Sequence, residues 1–438
     1  MSFRGPFALN FFEWFHKRPF KRNVFLTNVS VLFLGAVIAQ ILTLIAAPIL
    51  SRLYTPEHFG ELGIIISFVS VFSVIANLRL ELAIVLPKFK KVSQVVFFTA
   101  LLIGFFFSLI LGSLLCFSKS QVSLIFNFDL ESKYIIAISI LVLLNSNFNL
   151  FTYYNVRSKE FKTNSFSSII RSLFTNIFQV SFGLLSPSVF SLLLGQILGR
   201  LITINYFVSK ALKTRLFNKI SLSKRKIAYV LKKYKSFPLY SAPQGFLNSL
   251  SINSPILVLG FFFSANIVGF YWFSERLLKT PINFISSSIR QVFLQKASNI
   301  INNKTHVFAY YKKITLSLFL LGIVPIVILF IYGAPMFGFI FGEEWATAGV
   351  YSAWIGIGWF GILLNSPSVV LIHVYDFQRY FLFYESLLSI FKVIALIVGG
   401  LANNPLLSIS YYSLVTVIFN VLLVIIVGTK VRLLENNI

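Results

Sequence analysis

The residues of this chain with chemical potential are charges set inside apolar stretches. Arg276, Lys279, Asn283, Ser287 and Arg290 follow one another at steps of 3, 4, 4 and 3 residues. At about 100° per residue these positions fall within about 80° of one another, on one helix face. Counting about 1.5 Å per residue from the start of the apolar stretch near 266, Arg276 lies roughly 15 Å deep and Arg290 about 21 Å further along. Charges inside a membrane are costly, and they face a cavity or a partner. The row therefore reads as a cationic ladder able to carry an anion through a low-dielectric zone. The plainer account pairs Glu275 with Lys279 at i,i+4 and lets Arg290 snorkel to the interface.

Other charges stand inside or at the ends of apolar stretches. Arg200 and Lys392 fall near mid-depth, and Glu385 lies seven residues before Lys392 on the same helical face, so that a structural ion pair is the simpler reading there. Arg79 and Glu81 close the second apolar stretch, as an internal pair or as a contact for an anion. Arg171 lies one or two turns into its stretch and reads as a residue reaching for the interface. Arg52 follows Ile49-Leu50-Ser51 and reads as an anchor or an outer gate. Tyr271, Trp272 and Phe273, with Trp354 and Trp359, offer rings that stack on sugars, although packing explains most such rings. Glu275 and Glu385 are the acids placed deeply enough to couple an ion.

Enzyme chemistry finds little support. The chain has 13 acidic residues, short connections on one side, and no Ser-His-Asp, HExxH or glycine-rich phosphate-binding pattern. His16, His58, His306 and His373 have no metal-ligand spacing. The single Cys116 allows neither an internal disulfide nor a thiolate metal site. No cofactor is expected.

These charges must be held by helices in lipid. Of 438 residues, 57% are hydrophobic and 12% charged, against about 25% charged in a soluble domain. A spanning backbone must satisfy its own hydrogen bonds, and continuous apolar runs argue against a β-barrel. The fold expected is all-α and polytopic. It has about 12 transmembrane helices, near 25–50, 60–86, 93–117, 134–155, 164–185, 188–208, 238–262, 266–292, 314–334, 346–374, 380–400 and 406–428. The first run, preceded by basic residues, is too long for a cleavable signal segment.

Of the 38 Lys and Arg, thirty fall in alternate connections and tails, three fall on the opposite side and five lie within spans. This bias places both termini in the cytoplasm. It also accounts for the net charge of +25 by topology and contact with membrane lipids, without nucleic acid. The longest connection, 209–237, divides the chain into six spans and six spans, giving lobes 1–225 and 226–438. Its segment Lys224 to Lys235 is basic and amphipathic, an interfacial anchor. An offset of 209 residues aligns Gly60 with Gly269 and brings Arg79 within two positions of Arg290, the pattern of two repeats about an axis along the membrane normal.

Three segments carry a resemblance. They are Ala47–Gly60 (Ala-Pro-Ile-Leu-Ser-Arg-Leu-Tyr-Thr-Pro-Glu-His-Phe-Gly), Leu78–Pro87 (Leu-Arg-Leu-Glu-Leu-Ala-Ile-Val-Leu-Pro) and Phe341–Gly349 (Phe-Gly-Glu-Glu-Trp-Ala-Thr-Ala-Gly). In this order, with twelve spans, the chain resembles bacterial O-antigen-type polysaccharide flippases of the multidrug/oligosaccharidyl-lipid/polysaccharide exporter superfamily. The resemblance implies two six-helix lobes around a central cavity in the bacterial inner membrane. It implies an undecaprenyl-pyrophosphate-linked oligosaccharide as substrate, O-antigen or capsule repeat units, moved from the cytoplasmic to the periplasmic leaflet by alternating access. The polysaccharide polymerase and chain-length machinery would be its partners. The diphosphate would then meet Arg276, Lys279 and Arg290, with Arg79 and Arg200 behind them. Drug exporters of that superfamily usually place an acid in the first helix; here the polar residues are Asn28, Ser30, Gln40 and Thr43, and the coupling ion, H+ or Na+, stays open. A peptidoglycan-precursor flippase, a multidrug antiporter and a membrane glycan polymerase are the rival readings.

Topology reporters test the span order. Fusions at Lys224 and Asn302 should report cytoplasm, and fusions at Glu57, Glu343 and Asn403 should report periplasm. A periplasmic signal at Lys224 would break the six-plus-six division.

Overall fold

A computed structural model describes residues 24–126, 128–213, 222–302 and 306–436. His16, the basic residues from Arg4 to Arg22, and Arg215, Lys219 and Lys304 lie outside them. The described residues form helices and turns, with no strand among them. The first lobe is built from α1 (Val24–Leu53), α2 (Pro56–Ala76), the single turn α3 (Leu80–Ala83), α4 (Lys90–Phe117), the short α5 (Lys119–Phe126), α6 (Ser132–Arg157), α7 (Phe161–Leu185) and α8 (Val189–Lys213). The surface helix α9 (Lys224–Lys233) and a π-turn (Phe237–Ser241) lead into the second lobe. There α10 (Ala242–Phe262), α11 (Ala265–Asn302), α12 (Phe308–Phe341), α13 (Ala346–Leu364) with its continuation α14 (Ser366–Val374), α15 (Gln378–Leu401) and α16 (Pro405–Asn436) follow.

Eleven helical segments among the described residues are long and apolar enough to cross a membrane. α11 is the twelfth long helix, and Glu275, Arg276, Lys279 and Arg290 along it make it too polar to count with the others. The chain is a multi-pass membrane protein. Its two ends are called here the basic end, with the Lys- and Arg-rich connections, and the charge-poor end.

Several helices run past their expected ends, α11 to Asn302, α12 from Phe308 to Phe341 and α16 to Asn436, and one span is cut short. The second span ends at Ala76 instead of running to 86. Asn77 caps it and donates its side-chain amide to the Ser146 carbonyl at 2.9 Å. Leu78 and Arg79 then take left-handed backbone angles, φ 51° and 58°, which cost L-residues about 1–2 kcal/mol each. The chain restarts as α3.

The lobes meet along α2, which packs on both α10 and α11. The approach is closest at the charge-poor end. A Cβ on Gly60 would lie 1.7 Å from the Ala265 carbonyl oxygen, and one on Gly269 would lie 1.8 Å from that of Pro56. Only hydrogen fits there, and small residues let membrane helices touch backbone to backbone. In the second lobe α12 is tied down at its start by Glu435 of α16, whose carboxylate accepts from the backbone N–H groups of Val307 (2.5 Å) and Phe308 (3.1 Å). These are free helix-start donors that need an acceptor. α9 is N-capped by Ser223, turns Val230 inward and packs on α4 at the basic end. Its five lysines and arginines, with Lys235 just beyond its end, lie on the surface.

Gly269→Leu should lower the thermal midpoint of the detergent-solubilised protein sharply or abolish its accumulation, because the obstacle is a backbone carbonyl. Overpacking of this kind costs about 1–3 kcal/mol or more. Gly356→Ala, whose added methyl would meet only Leu329 at 3.4 Å, should leave the midpoint nearly unchanged.

Candidate functional site

Between the lobes lies a cavity of about 420 Å³ lined by α1, α7, α8 and α11. Arg171 of α7, Arg200 of α8 and Arg276 of α11 face it, with Gln40, Thr43, Ser168, Ser172, Thr175, Asn176 and Gln196 among its neutral polar walls. Among the described residues, no carboxylate lines it. Each guanidinium is held by neutral groups. Arg200 donates through Nε to Asn145 Oδ1 at 2.5 Å, and through Nη1 to the Gln196 side-chain oxygen and to the Gln196 carbonyl at 3.3 Å. Arg171 sits 4.7 Å over the Phe148 ring, and Arg276 sits 5.4 Å over Trp272. The three positive charges are oriented but not cancelled. Charges are expensive in such a region, and three guanidiniums held this way have the chemistry to take an anion, a phosphate group being suited to the guanidinium fork.

The polar wall is legible in the helices. α7 places Ser168, Ser172 and Asn176 at intervals of four, and α1 answers with Ala39 and Thr43. Ser172 donates to the Ala39 carbonyl at 2.5 Å and shares a bond with Thr43 at 2.9 Å. α8 positions Arg200 one turn from Gln196, and Gly195 and Gly199 let α8 close on α7 at Gln179 and Thr175.

Toward the charge-poor end the cavity is sealed. Above Arg276 a gap of about 10 Å³ among Leu44, Ala47, Leu50, Phe59, Phe273 and Leu277 is at the limit for one water. An aromatic plug follows. Trp345 lies 4.3 Å from Phe273 and 5.3 Å from Phe59, ring centre to ring centre, and its indole N–H donates to the Ser51 carbonyl at 2.9 Å. Two of the three sequence segments singled out above, Ala47–Gly60 and Phe341–Gly349, thus meet in one seal.

The other expected residues are placed as follows. Lys279 does not line the cavity; it pairs with Glu275 at 3.5 Å and lies 5.8 Å from the Trp359 ring. Arg290 is half-buried further toward the basic end of α11. Arg79 pairs with Glu81 at 3.6 Å beyond the end of α2, away from the cavity. Arg52 is exposed at the end of α1. Glu385 is half-buried on α15, and Lys392 lies 5.6 Å over Tyr412 instead of pairing with it. Of the rings, Tyr271 and Phe273 are buried in the core and Trp354 packs on Phe330. Reading Arg171 as an interface-seeking residue missed its place in the cavity. The signal was available in its polar neighbours at i−3, i+1, i+4 and i+5, which imply a wet face.

Residues 49–349 match the family model described as "Polysaccharide biosynthesis protein". The chain belongs to this family. No curated protein matches it in sequence. Among solved structures, the polysaccharide biosynthesis family member described here is similar to the lipid II flippase MurJ in an inward closed conformation, with TM-score 0.69 at 15% identity over 92% of this chain and 90% of that one. It is also similar to an inward-facing multidrug-resistance MATE family transporter of the MOP superfamily, with TM-score 0.58 at 11% identity over 92% and 98%. At these identities the likeness establishes the fold, that of MOP-superfamily transporters.

The pairing of Glu275 can be measured. A double-mutant cycle on thermal stability should return a coupling of about 0.3–0.5 kcal/mol between Glu275→Gln and Lys279→Met, and none between Glu275→Gln and Arg276→Gln.

Proposed function

We propose that the chain is a flippase for a lipid-linked oligosaccharide, carrying undecaprenyl-pyrophosphate-linked repeat units of O-antigen or capsule type from the cytoplasmic to the periplasmic leaflet. One observation carries this reading: a cavity between two lobes is lined by three arginines and, among the described residues, by no acid. A diphosphate brings the compensating charge, while the neutral amides and hydroxyls of the same wall suit a hydroxyl-rich glycan. Arg276, Arg200 and Arg171 grip the diphosphate. Arg290 lies on its way in from the basic end, which is the cytoplasmic end. Lys279 and Arg79 act on the substrate only if released from Glu275 and Glu81. The aromatic plug closes the periplasmic exit, with Arg52 near its rim. The lobes, 1–225 and 226–438, rock about the cavity, and the prenyl tail stays in lipid. The protein is read as a transporter without a catalytic step, resident in the bacterial inner membrane with both termini cytoplasmic. It would feed the polymerase and chain-length machinery.

Three arginines in the cavity wall favour an anionic substrate over the cations of drug efflux. Deleting the gene separates the remaining readings. A flippase block accumulates single lipid-linked repeat units at the cytoplasmic face; a polymerase block lets single units reach the cell surface. Failure of cell-wall synthesis with intact surface glycan would point to a peptidoglycan precursor, and drug sensitivity with normal glycan to efflux.

Arg276→Ala and Arg171→Ala should each abolish or strongly reduce surface glycan at normal protein levels. Losing one charge-assisted phosphate contact costs about 1.5–3 kcal/mol, roughly tenfold to a hundredfold in transport at limiting substrate. Arg276→Lys should keep partial function, because charge remains and the fork is lost. Unimpaired glycan display in both alanine variants would remove the diphosphate role.

A further inference from the structure

The most buried ion pair among the described residues lies outside the arginine cavity. Glu81 sits on α3 with its side chain 4% exposed, and its Oε1 meets Arg79 Nη1 at 3.6 Å. Its second oxygen, Oε2, has no hydrogen-bond partner, and neither has Arg79 Nε. A buried carboxylate with one loose cation contact is costly in its charged form. The backbone here is also strained, with Leu78 and Arg79 both left-handed, and strain of this kind persists where the surroundings hold it in place.

The surroundings belong to both lobes. Arg79 Nε lies 3.1 Å from where a Cβ on Gly245 of α10 would stand, beside Val74 of α2. α3 also touches the π-turn that opens the second lobe, and Leu80, Ala83 and Ile84 share an apolar cluster with Tyr234 and Phe237. The pair therefore occupies the seam where the lobes close at the basic end.

We propose that Glu81 is a proton-binding site whose protonation state sets how tightly the two lobes close along this seam. The other charged groups nearby are engaged elsewhere or exposed. Arg157 of α6 donates to the carbonyls of Ile84, Val85 and Lys88. Lys88, Lys90 and Lys91 around the start of α4 are exposed, as is Tyr240 of the π-turn. Arg79 stands at ion-pair distance from Glu81, 3.6 Å.

The direction follows from linkage. Burial raises the Glu81 carboxyl from its ordinary 4.5 to about 7, while a hydrogen bond from its own backbone N–H and, less strongly, Arg79 pull the other way. Parting the seam would admit water and return the group toward the ordinary value. The state with the higher pKa is favoured by protonation. Closure thus gains stability that is complete below about pH 4.5 and is lost as pH rises through about 7. Between pH 8 and pH 6 the ratio of closed to parted seam should rise about tenfold. A proton taken up from water is then the ion that biases the cycle, at a position distinct from Glu275 and Glu385.

The test reads geometry, not transport, so it stands or falls independently of the proposed substrate. Spin labels placed by Leu86→Cys and Leu239→Cys, both exposed positions flanking the seam, in a Cys116→Ser background, report the distance by pulsed dipolar spectroscopy in lipid nanodiscs at pH 6 and pH 8. The short-distance population should be larger at pH 6. Glu81→Gln, which mimics the protonated form, should hold the short distance at both pH values. Arg79→Gln should move the midpoint to higher pH, because the cation that favours the carboxylate is gone. A wild-type distribution independent of pH, or a pH response that survives Glu81→Gln, overturns the proposal. If Glu81→Gln fails to accumulate, the Arg79→Gln midpoint decides alone, and an unmoved midpoint overturns it.

Discussion

The contact on which the architecture rests is the close approach of α2 and α11 at Gly60 and Gly269. Two backbones meet there with no side chain between them. That contact sets the lobes' separation at the charge-poor end, and the aromatic plug depends on it. Phe59 precedes Gly60 and Phe273 lies one turn after Gly269, so both rings are delivered against Trp345 by the same junction. With the top pinned, space between the lobes opens only further down. Arg276 lies two turns below Gly269, where that space begins.

The second constraint is electrostatic. Three guanidiniums in a low-dielectric interior would ordinarily be neutralised by acids. Here Asn145, Gln196 and two aromatic rings orient them instead. Neutral acceptors fix a guanidinium without consuming its charge, so the site keeps its attraction for an anion. Where the chain does use an acid, at Glu275 or Glu81, the basic partner lies outside the cavity. The two kinds of arginine and lysine are thus sorted by partner: neutral where charge is needed, acidic where it is not.

Much of this was legible in the sequence, for identifiable reasons. Apolar runs mark helices because lipid leaves the backbone no alternative, and the Lys and Arg bias numbers them. Arg276 and Arg200 stood out because charges at mid-depth are rare. What the sequence concealed was azimuth and local backbone. Lys279 shares a face with Arg276 within the error of helical-wheel counting, yet Glu275 one turn before it draws it toward Trp359. The end of the second span was hidden because Leu78 and Arg79 are ordinary helix formers. Nothing in their types announces positive φ; the turn is imposed by Asn77 bonding across to α6. Arg171 was misjudged because depth was counted from the helix end without reading the polar stripe around it.

The Gly60 contact has a further property. Gly60 meets residue 265 and Gly269 meets residue 56, and both partners are displaced by the same 209 positions; Gly63 likewise meets Trp272, its own counterpart. Reciprocal contacts of this form are isologous, the kind made by two copies of one chain about a two-fold axis. The junction is therefore a pseudo-two-fold contact between the two halves of one chain. The cavity departs from that symmetry: its three arginines come two from the first half and one from the second, a division that no identical pair of subunits could make.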